Sequence, residues 1–191
     1  MFQVRIHGRG GQGVVTAAEL LAVAAFREGE HAQAFPSFGS ERTGAPVVSF
    51  CRIDDKQIRL REPILEPDAL IVQDPTLLKA IDVFQGLRPA GYLLVNTNKE
   101  LADLDVAAVV AKLPAGHART VPASELALKH VGRPVPNAAL LGAFAALTGV
   151  VRLDSVAAAI RAAFPGSVGE ANVVAATAAF EALASAAAAA A

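Results

Sequence analysis

The 191-residue sequence contains little cysteine and few charged or aromatic residues. Its single cysteine, Cys51, excludes an internal disulfide. It also excludes an iron–sulfur cluster held by this chain alone, because such clusters take about four thiolates. Cysteine this sparse is typical of proteins in a reducing cytoplasm. Charged residues make up 18% of the chain and hydrophobic residues 53%, which favours a subunit whose surface is partly covered by other chains.

Long hydrophobic runs and an excess of one charge are also missing. The net charge of −1 gives no support for a nucleic-acid partner. No run of about 18 apolar residues precedes the alanine-rich end, and the first residues lack the pattern of a secretion signal. We expect a cytoplasmic protein with no membrane span, folded as one domain over residues 1–183 and followed by an alanine-rich tail over 184–191.

The sequence also lacks the common patterns of metal and catalytic sites. The histidines are far apart and show no metal-ligand spacing, so no metal site is predicted. No nucleophile elbow follows a strand, and no lysine follows the glycine run as it would in a P-loop. Cys51 lies in a β-rich run and is predicted to be a small buried hydrophobe. His7 is predicted to have a structural role. These features favour a binding or accessory domain over a self-sufficient catalyst.

The most informative feature that is present is a glycine-rich turn near the start. An apolar run, Phe2–His7, leads into Gly8-Arg9-Gly10-Gly11-Gln12-Gly13, and a helical pattern follows over Val14–Leu21. Glycines permit a tight turn and let backbone N–H groups approach an anion closely, and the helix N-terminus adds a partial positive charge. The pattern predicts a phosphate- or carboxylate-facing loop to which Arg9 can add a formal charge.

Two other interpretations of this loop stay open. The spacing of the glycines matches a dinucleotide-binding turn, which requires an acidic residue at the end of the second strand. Glu28 and Glu30 instead precede the predicted second strand, His31–Phe35, and the next acid is Glu41. The chain could therefore be a free-standing NAD(P)-binding enzyme, or the glycines could only allow close packing.

A second loop, bounded by Pro36 and Pro46, carries hydroxyl and charged side chains. We expect it near the carboxyl end of a strand that lies beside the first strand, which is the edge where open parallel sheets bind ligands. Together the two loops form one candidate binding site. Its predicted members are Arg9, Gly10, Gly11, Gln12, Gly13, Ser40, Arg42 and Thr43.

The rest of the chain alternates strands and helices and then becomes helical. Val47–Ile53 and Gln57–Arg61 are predicted to form a hairpin. Further strands are predicted over Asp68–Asp74, Gly91–Asn96 and Arg119–Pro122. Helices are predicted over Thr76–Phe84, Val106–Lys112, Ser124–His130, Asn137–Gly149, from Asp154 to Phe164, and over Glu170–Leu183.

Three helix caps are also predicted: Asp74 before its helix, and Ser124 and the pair Asp154 and Ser155 at the start of theirs. Asp74, at the carboxyl end of a strand, could instead face a crevice. The order of the elements predicts an α/β fold, a Rossmann-like sandwich with a mostly parallel sheet and a helical C-terminal third.

Four segments in this order resemble motifs of a known family, the gamma subunits of 2-oxoacid:acceptor oxidoreductases in the pyruvate:ferredoxin oxidoreductase group. Gly8–Val14 resembles its G-x-G-G-Q-G opening. Ser37–Gly44 is similar to its second loop, although Arg42 is shifted by one place and Thr43 replaces a glycine. Asn137–Ala143 resembles its N-x-x-x-L-G-A helix, and Asn172–Glu181 its closing motif, with extra residues.

The resemblance implies that this chain serves a mechanism carried out mainly by other subunits. In the family, thiamine diphosphate attacks a 2-oxoacid, electrons leave through iron–sulfur clusters, and coenzyme A takes the acyl group. Thiamine diphosphate, Mg²⁺ and the 4Fe–4S clusters are implied on alpha, beta and ferredoxin-like partner subunits, with ferredoxin or an NAD-reducing subunit as acceptor. The chain itself would bind no cofactor alone, would assist assembly and would approach coenzyme A.

Which 2-oxoacid is processed does not follow from the resemblance. Pyruvate is the default, and phenylglyoxylate, 2-oxoglutarate and branched-chain 2-oxoacids are the alternatives. A purely structural interaction subunit is the other function left open.

Overall fold

One six-stranded sheet organises the molecule, with the strand order β2-β3-β1-β4-β5-β6. The computed structural model describes residues 1–37 and 43–189. The strands are β1 Phe2–Arg9, β2 His31–Pro36, β3 Pro46–Asp54, β4 Ala69–Val72, β5 Tyr92–Asn96 and β6 Ala118–Val121.

The sheet is mostly parallel, as predicted, with one antiparallel insertion. Strands β1, β4, β5 and β6 run parallel to one another, whereas β3 lies antiparallel between β1 and β2. The second strand therefore does not lie beside the first, which corrects our placement of it. The nine residues of β3 are mostly buried on both faces, so β3 forms an interior strand.

The predicted hairpin is wrong because both edges of β3 are already paired. Residues 57–61 form no strand and instead cross over the sheet close to Arg52, a residue of β3 that is only 1% exposed. The Arg52 guanidinium donates to the carbonyl oxygens of Leu60 at 3.5 Å and Glu62 at 2.7 Å. Arg5 of β1 similarly donates to the carbonyls of Ile64 and Val83. Two buried arginines thus replace a hydrogen-bond ladder for this irregular segment.

Seven α-helices surround the sheet in the described part of the chain. They are α1 Val14–Arg27, α2 Leu77–Ala80, α3 Ala107–Val110, α4 Ala123–Val131, α5 Asn137–Thr148, α6 Leu153–Ala163 and α7 Ser167–Ala189. A short 3₁₀ helix covers Leu101–Leu104. Helices α1, α5, α6 and α7 pack in the hydrophobic core on one face of the sheet, while α2 packs in a second cluster on the other. None of the described helices is long and apolar enough to cross a membrane.

Two of the predicted helices are shorter than the sequence indicates. The α2 helix ends at Ala80 rather than Phe84, and α3 covers only Ala107–Val110. After α2, the carbonyl of Val83 accepts a hydrogen bond from Arg5, so it is engaged by the sheet rather than by a further helical turn.

The predicted caps of α4 and α6 are corrected by contacts distant in sequence. The N–H of Ser124 donates to Oδ1 of Asn96 at 3.0 Å, and Nδ2 of Asn96 donates back to the Ser124 hydroxyl at 2.8 Å. The end of β5 therefore caps α4. Helix α6 begins at Leu153, so Asp154 and Ser155 lie inside it and neither caps it. The N–H of Arg152, just before the helix, donates to Oε1 of Glu28 at 2.7 Å.

The helical C-terminal third is confirmed, and its last helix is longer than expected. Helix α7 begins at Ser167 rather than Glu170 and continues into the alanine-rich segment as far as Ala189. Helix α5 is buried over most of its length and packs closely against α7, because Gly142 of α5 lies directly against the backbone of Ala176 in α7.

Candidate functional site

The candidate site lies where the strand order of the parallel sheet reverses. Strands β1 and β4 are neighbours, but the chain leaves β1 through α1 on one face and leaves β4 through α2 on the other. Open α/β sheets bind ligands outside the carboxyl ends of such strands. The glycine loop follows β1 at this edge, and residues 73–76 follow β4.

The glycine loop turns sharply into α1. Gly11 has a φ of +94°, and Gly13, the residue before α1, has a φ of +72°. A Cβ atom at Gly13 would lie 2.6 Å from Nδ2 of Asn137, the first residue of α5. Both the left-handed backbone and this close approach require glycine at position 13. The N-termini of α1 and α5 therefore meet at the candidate site.

A cavity of about 250 Å³ opens at the N-terminus of α1. It is lined by Arg9, Gly10, Gly11, Gly13, Val14, Val15, Thr16 and Val47. No side chain of the described residues caps helix α1. Several backbone N–H groups of the lining have no hydrogen-bond partner among residues 1–37 and 43–189; they belong to Gly11, Gly13, Val14, Val15 and Thr16. Free N–H donors at the positive end of a helix suit a phosphate or carboxylate group.

The charge of Arg9 is balanced within the chain. Its Nε donates to Oδ2 of Asp74 at 3.0 Å, its Nη1 to the carbonyl of Gly44 at 3.0 Å and its Nη2 to Oγ1 of Thr76 at 2.8 Å. Nε2 of Gln12 donates to the same Oδ2 of Asp74 at 3.0 Å. The donors of the loop that remain for a ligand are therefore mainly backbone N–H groups.

Asp74 lies beside the glycine loop, against the side chains of Arg9 and Gln12, and it caps a turn rather than the following helix. Its Oδ1 accepts hydrogen bonds from the N–H and the hydroxyl of Thr76 at 2.9 and 2.6 Å, while the cap position of α2 itself makes no side-chain bond within the described part of the chain. Burial raises the pKa of Asp74, but the hydrogen bonds from Thr76 and Gln12 and the charge of Arg9 lower it below its usual value. Asp74 is therefore a carboxylate at neutral pH.

The second loop reaches the first through its last residues. Thr43 forms a parallel bridge with Gly10, the N–H of Gly44 donates to the carbonyl of Gly10 at 3.2 Å, and the N–H of Gly10 donates to the carbonyl of Ala45 at 3.0 Å. The structure thus brings Thr43 beside the glycine loop, as expected. Ser40 and Arg42 lie outside the described residues.

His7 lies under the site, on the face of β1 that bears Arg5. It is 5% exposed, and its Nε2 accepts a hydrogen bond from Nε of Arg5 at 3.1 Å. Burial, reinforced by the charge of Arg5, lowers the pKa of His7 from 6.5 to about 4. His7 is therefore a neutral acceptor that orients Arg5, which agrees with the structural role predicted for it.

This shift makes a prediction about acid stability. In the unfolded chain His7 takes up a proton near pH 6.5, but in the folded chain only near pH 4, so unfolding is favoured as the pH falls between these values. The expected loss reaches about 3 kcal/mol. Urea unfolding from pH 7.5 to 4 checks it against His7→Gln, which cannot titrate. As the pH falls, the free energy of unfolding should decrease more steeply for the wild type than for His7→Gln. Parallel curves for the two proteins would contradict the lowered pKa of His7.

Several polar residues at this edge were not predicted as members of the site. Gln73 is 1% exposed, and neither amide atom of its side chain has a partner within the part of the chain that the structure describes. Asn96 bonds the carbonyl of Gln73 and the start of α4, and Asn137 touches Gly13. Their positions in the sequence could have indicated Gln73 and Asn96. Each ends a buried apolar run, and the ends of parallel strands lie at the ligand-binding edge of the sheet.

Several alternative chemistries gain no support from the geometry. A dinucleotide-binding turn requires an acidic residue at the end of the second strand, but the end of β2 at Pro36 lies two strands away from β1. Cys51 is fully buried, and burial raises the pKa of its thiol to about 12, so it is a small core residue as predicted. Within the described ranges, no group of three His, Cys, Asp or Glu residues is placed to hold a metal ion.

Comparisons with known proteins converge on one family. The family model described as "Pyruvate ferredoxin/flavodoxin oxidoreductase" matches residues 3–182. The "Pyruvate/ketoisovalerate oxidoreductases common subunit gamma" of Thermococcus kodakarensis is 51% identical over 180 residues, which are 94% of this chain and 96% of that relative.

One solved structure agrees with this family, and a second shows the same fold. Pyruvate oxidoreductase subunit PORC from Thermotoga maritima is 37% identical with a TM-score of 0.78, covering 94% of this chain and 95% of that chain. The 2-oxoglutarate:ferredoxin oxidoreductase from Magnetococcus marinus is 18% identical with a TM-score of 0.72. This second match covers 97% of this chain and 31% of that chain, and it shows a shared fold.

Proposed function

The chain belongs to the pyruvate ferredoxin/flavodoxin oxidoreductase family as a gamma subunit of a 2-oxoacid:ferredoxin oxidoreductase, and we propose that its complex oxidatively decarboxylates a 2-oxoacid to the acyl-CoA in the cytoplasm. Pyruvate is the substrate to test first. A branched-chain 2-oxoacid comes second, because the Thermococcus kodakarensis relative is named for both pyruvate and ketoisovalerate.

In this proposal the redox chemistry takes place on other subunits. Alpha and beta chains hold thiamine diphosphate and Mg²⁺, and a ferredoxin-like chain holds the 4Fe–4S clusters and passes electrons to ferredoxin. The donor set of the present chain is in keeping with this division, because its one thiol is buried in the core and a cluster takes about four thiolates. The role left for this chain is to support assembly and to receive coenzyme A.

The observation that carries the coenzyme A role is the cavity at the N-terminus of α1. Coenzyme A bears a diphosphate and a 3′-phosphate, and phosphate groups bind readily where several free N–H groups converge at the positive end of a helix. The candidate binding residues are those of the two loops, namely Arg9, Gly10, Gly11, Gln12, Gly13, Ser40, Arg42 and Thr43. A second observation supports this proposal, because the Magnetococcus marinus enzyme of similar fold has coenzyme A and succinyl-CoA bound.

A charge placed in the cavity tests this role. Thr16 lines the cavity in the first turn of α1 and is half-buried. In Thr16→Glu the added carboxylate suits the helix N-terminus, so folding should be preserved, but it repels a phosphate by about 1–2 kcal/mol. In the assembled complex we expect the KM for coenzyme A to rise about tenfold, with kcat little changed.

The matched control is Thr16→Gln, because glutamine has nearly the same shape as glutamate but carries no charge. It should leave the KM for coenzyme A within about twofold of wild type. Equal KM values in the two variants would refute coenzyme A binding in this cavity. If Thr16→Glu alone fails to assemble, the anion in the cavity belongs to a partner subunit, and the structural interaction role becomes the better account.

A further inference from the structure

We propose that Asp74 is a positioning residue that sets the conformation of the glycine loop through Gln12 and Arg9. This inference rests on the proposed function of the loop as the coenzyme A site. Asp74 itself does not line the cavity. Its role follows from the direction of the hydrogen bonds that join it to the two side chains of the loop.

The amide of Gln12 can adopt only one orientation. Its Oε1 accepts a hydrogen bond from the N–H of Arg9 at 2.8 Å, which closes the turn of the loop. Its Nε2 must then point to the other side, where it donates to Oδ2 of Asp74 at 3.0 Å. Turning the amide over would place two donors against each other at Arg9. Position 74 must therefore offer an acceptor to Gln12.

The same carboxylate accepts hydrogen bonds from two other directions. Oδ2 also accepts from Nε of Arg9, and Oδ1 accepts both from the N–H and from the hydroxyl of Thr76. Every contact of Asp74 in this network is therefore with a donor. An asparagine at this position would present its NH₂ either to Gln12 and Arg9, where two donors would lose their acceptor, or to Thr76, where the N–H would lose its acceptor and only the hydroxyl could turn to accept. An ionised carboxylate satisfies every donor of the network.

The network also joins the two loops. Arg9, held at Nε by Asp74, donates through Nη1 to the carbonyl of Gly44 at the end of the second loop. Asp74 therefore controls the turn that aims the N–H groups of the first loop and the position of the second loop against it. Gln12 and Arg9 act mainly as supports of the site, which leaves ligand contact to the backbone of Gly11, Gly13 and Val14.

The test compares two aspartates at opposite ends of β4. Asp74→Asn in the assembled complex should raise the KM for coenzyme A about tenfold with kcat little changed, because the loop is misplaced while the chemistry on other subunits is untouched. The control is Asp68→Asn. Asp68 pairs with Arg88 at 2.9 Å and accepts the N–H of Gln3 at 2.8 Å, so this variant breaks a similar ion pair far from the loop.

A positioning role and a merely structural one give different results. If Asp74 only stabilises the fold, both variants lower the unfolding temperature and neither changes the KM. If it positions the loop, both lower the unfolding temperature and only Asp74→Asn raises the KM for coenzyme A. An unchanged KM in Asp74→Asn, with Thr16→Glu still raising it, overturns this inference and leaves the proposed function standing. Unchanged KM values for coenzyme A in both Asp74→Asn and Thr16→Glu overturn both proposals.

Exchanging the amide and the carboxylate between positions 12 and 74 provides a second test. In Gln12→Glu/Asp74→Asn, the side chain at position 12 still accepts the N–H of Arg9, and its second oxygen accepts from the amide at position 74. The negative charge beside Arg9 is kept, although Nε of Arg9 then faces the amide NH₂ at position 74 instead of a carboxylate oxygen. We expect each single variant to raise the KM for coenzyme A and the double variant to recover part of the increase seen in Asp74→Asn. An additive increase in the double variant would show that the two residues act independently.

Discussion

Replacing Gly142 with alanine is expected to destabilise the protein by about 3 kcal/mol, more than a typical point substitution. A Cβ atom at this position would lie 1.9 Å from the carbonyl oxygen of Ala176, 2.5 Å from its carbonyl carbon and 2.8 Å from its Cα. All three are backbone atoms of α7, so no side-chain rotation can relieve the overlap. The helices α5 and α7 would have to move apart.

Two opposing effects decide the size of this loss. Alanine favours a helix over glycine by about 1 kcal/mol, which by itself would stabilise α5. Forcing additional volume into a packed interface costs about 1–3 kcal/mol, and more where backbone must move. The overlap with Ala176 lies at the severe end of this range, so the packing cost exceeds the gain in helix propensity.

The measurement for Gly142→Ala is the free energy of urea unfolding, with Gly149→Ala as control. Gly149 follows α5 with a φ of +65°, and a Cβ atom there would meet no atom of the described residues within 4 Å. The control therefore reports the cost of the left-handed backbone alone, about 1 kcal/mol. A loss in Gly142→Ala no greater than that of the control would mean that the helices are not packed this closely.

Replacing Arg52 with methionine is expected to cost about 3 kcal/mol and to release residues 57–62 from the sheet. Methionine keeps most of the apolar volume but removes the donors to the carbonyls of Leu60 and Glu62 and to Oε1 of Gln3. These hydrogen bonds are partly buried, and an acceptor that loses its donor in such a position costs about 1–3 kcal/mol. The guanidinium also lies 5.2 Å from the ring centroid of Phe35, and that contact is lost too.

Limited proteolysis and urea unfolding check this expectation together. Cleavage within residues 57–62 should become faster in Arg52→Met, because the segment is held by side-chain donors rather than by a ladder. Arg52→Lys should recover part of the loss, because one ammonium group can reach one of the carbonyls. Arg61→Met, at an exposed position of the same segment, should change neither measurement. Unchanged cleavage in Arg52→Met would show that other contacts hold the segment.

The features that the sequence predicts correctly depend on neighbouring residues. The apolar run before Gly8 and the helical pattern after Gly13 are enough to predict a strand, a turn and a helix. The buried strands around Leu70 and Leu93 and the helical last third follow equally from local hydrophobic pattern. For the same reason the glycine loop could be proposed as an anion site, since free N–H groups at a helix start are a property of the helix itself.

The errors arose where two distant segments compete for the same hydrogen bonds. The sequence does not reveal that β3 inserts between β1 and β2, so residues 57–61 have no strand edge to pair with. In the same way, Ser124 is a good cap by residue type, but in the structure the side chain of Asn96 accepts the N–H of Ser124 at the start of α4. Local propensity is a weak prior, and contacts between elements override it.

By itself, then, the sequence determined the type and order of most elements, the glycine loop and, through its motifs, the family. Only the tertiary structure decided that Arg9 is paired with Asp74, that Gln12 supports the loop, and that the end of the second loop rests on Gly10. Asp74 is separated from Gln12 by 62 positions. Periodicity and glycine spacing act over a few residues, whereas hydrogen-bond partners this far apart are selected by which strands become neighbours in the folded sheet.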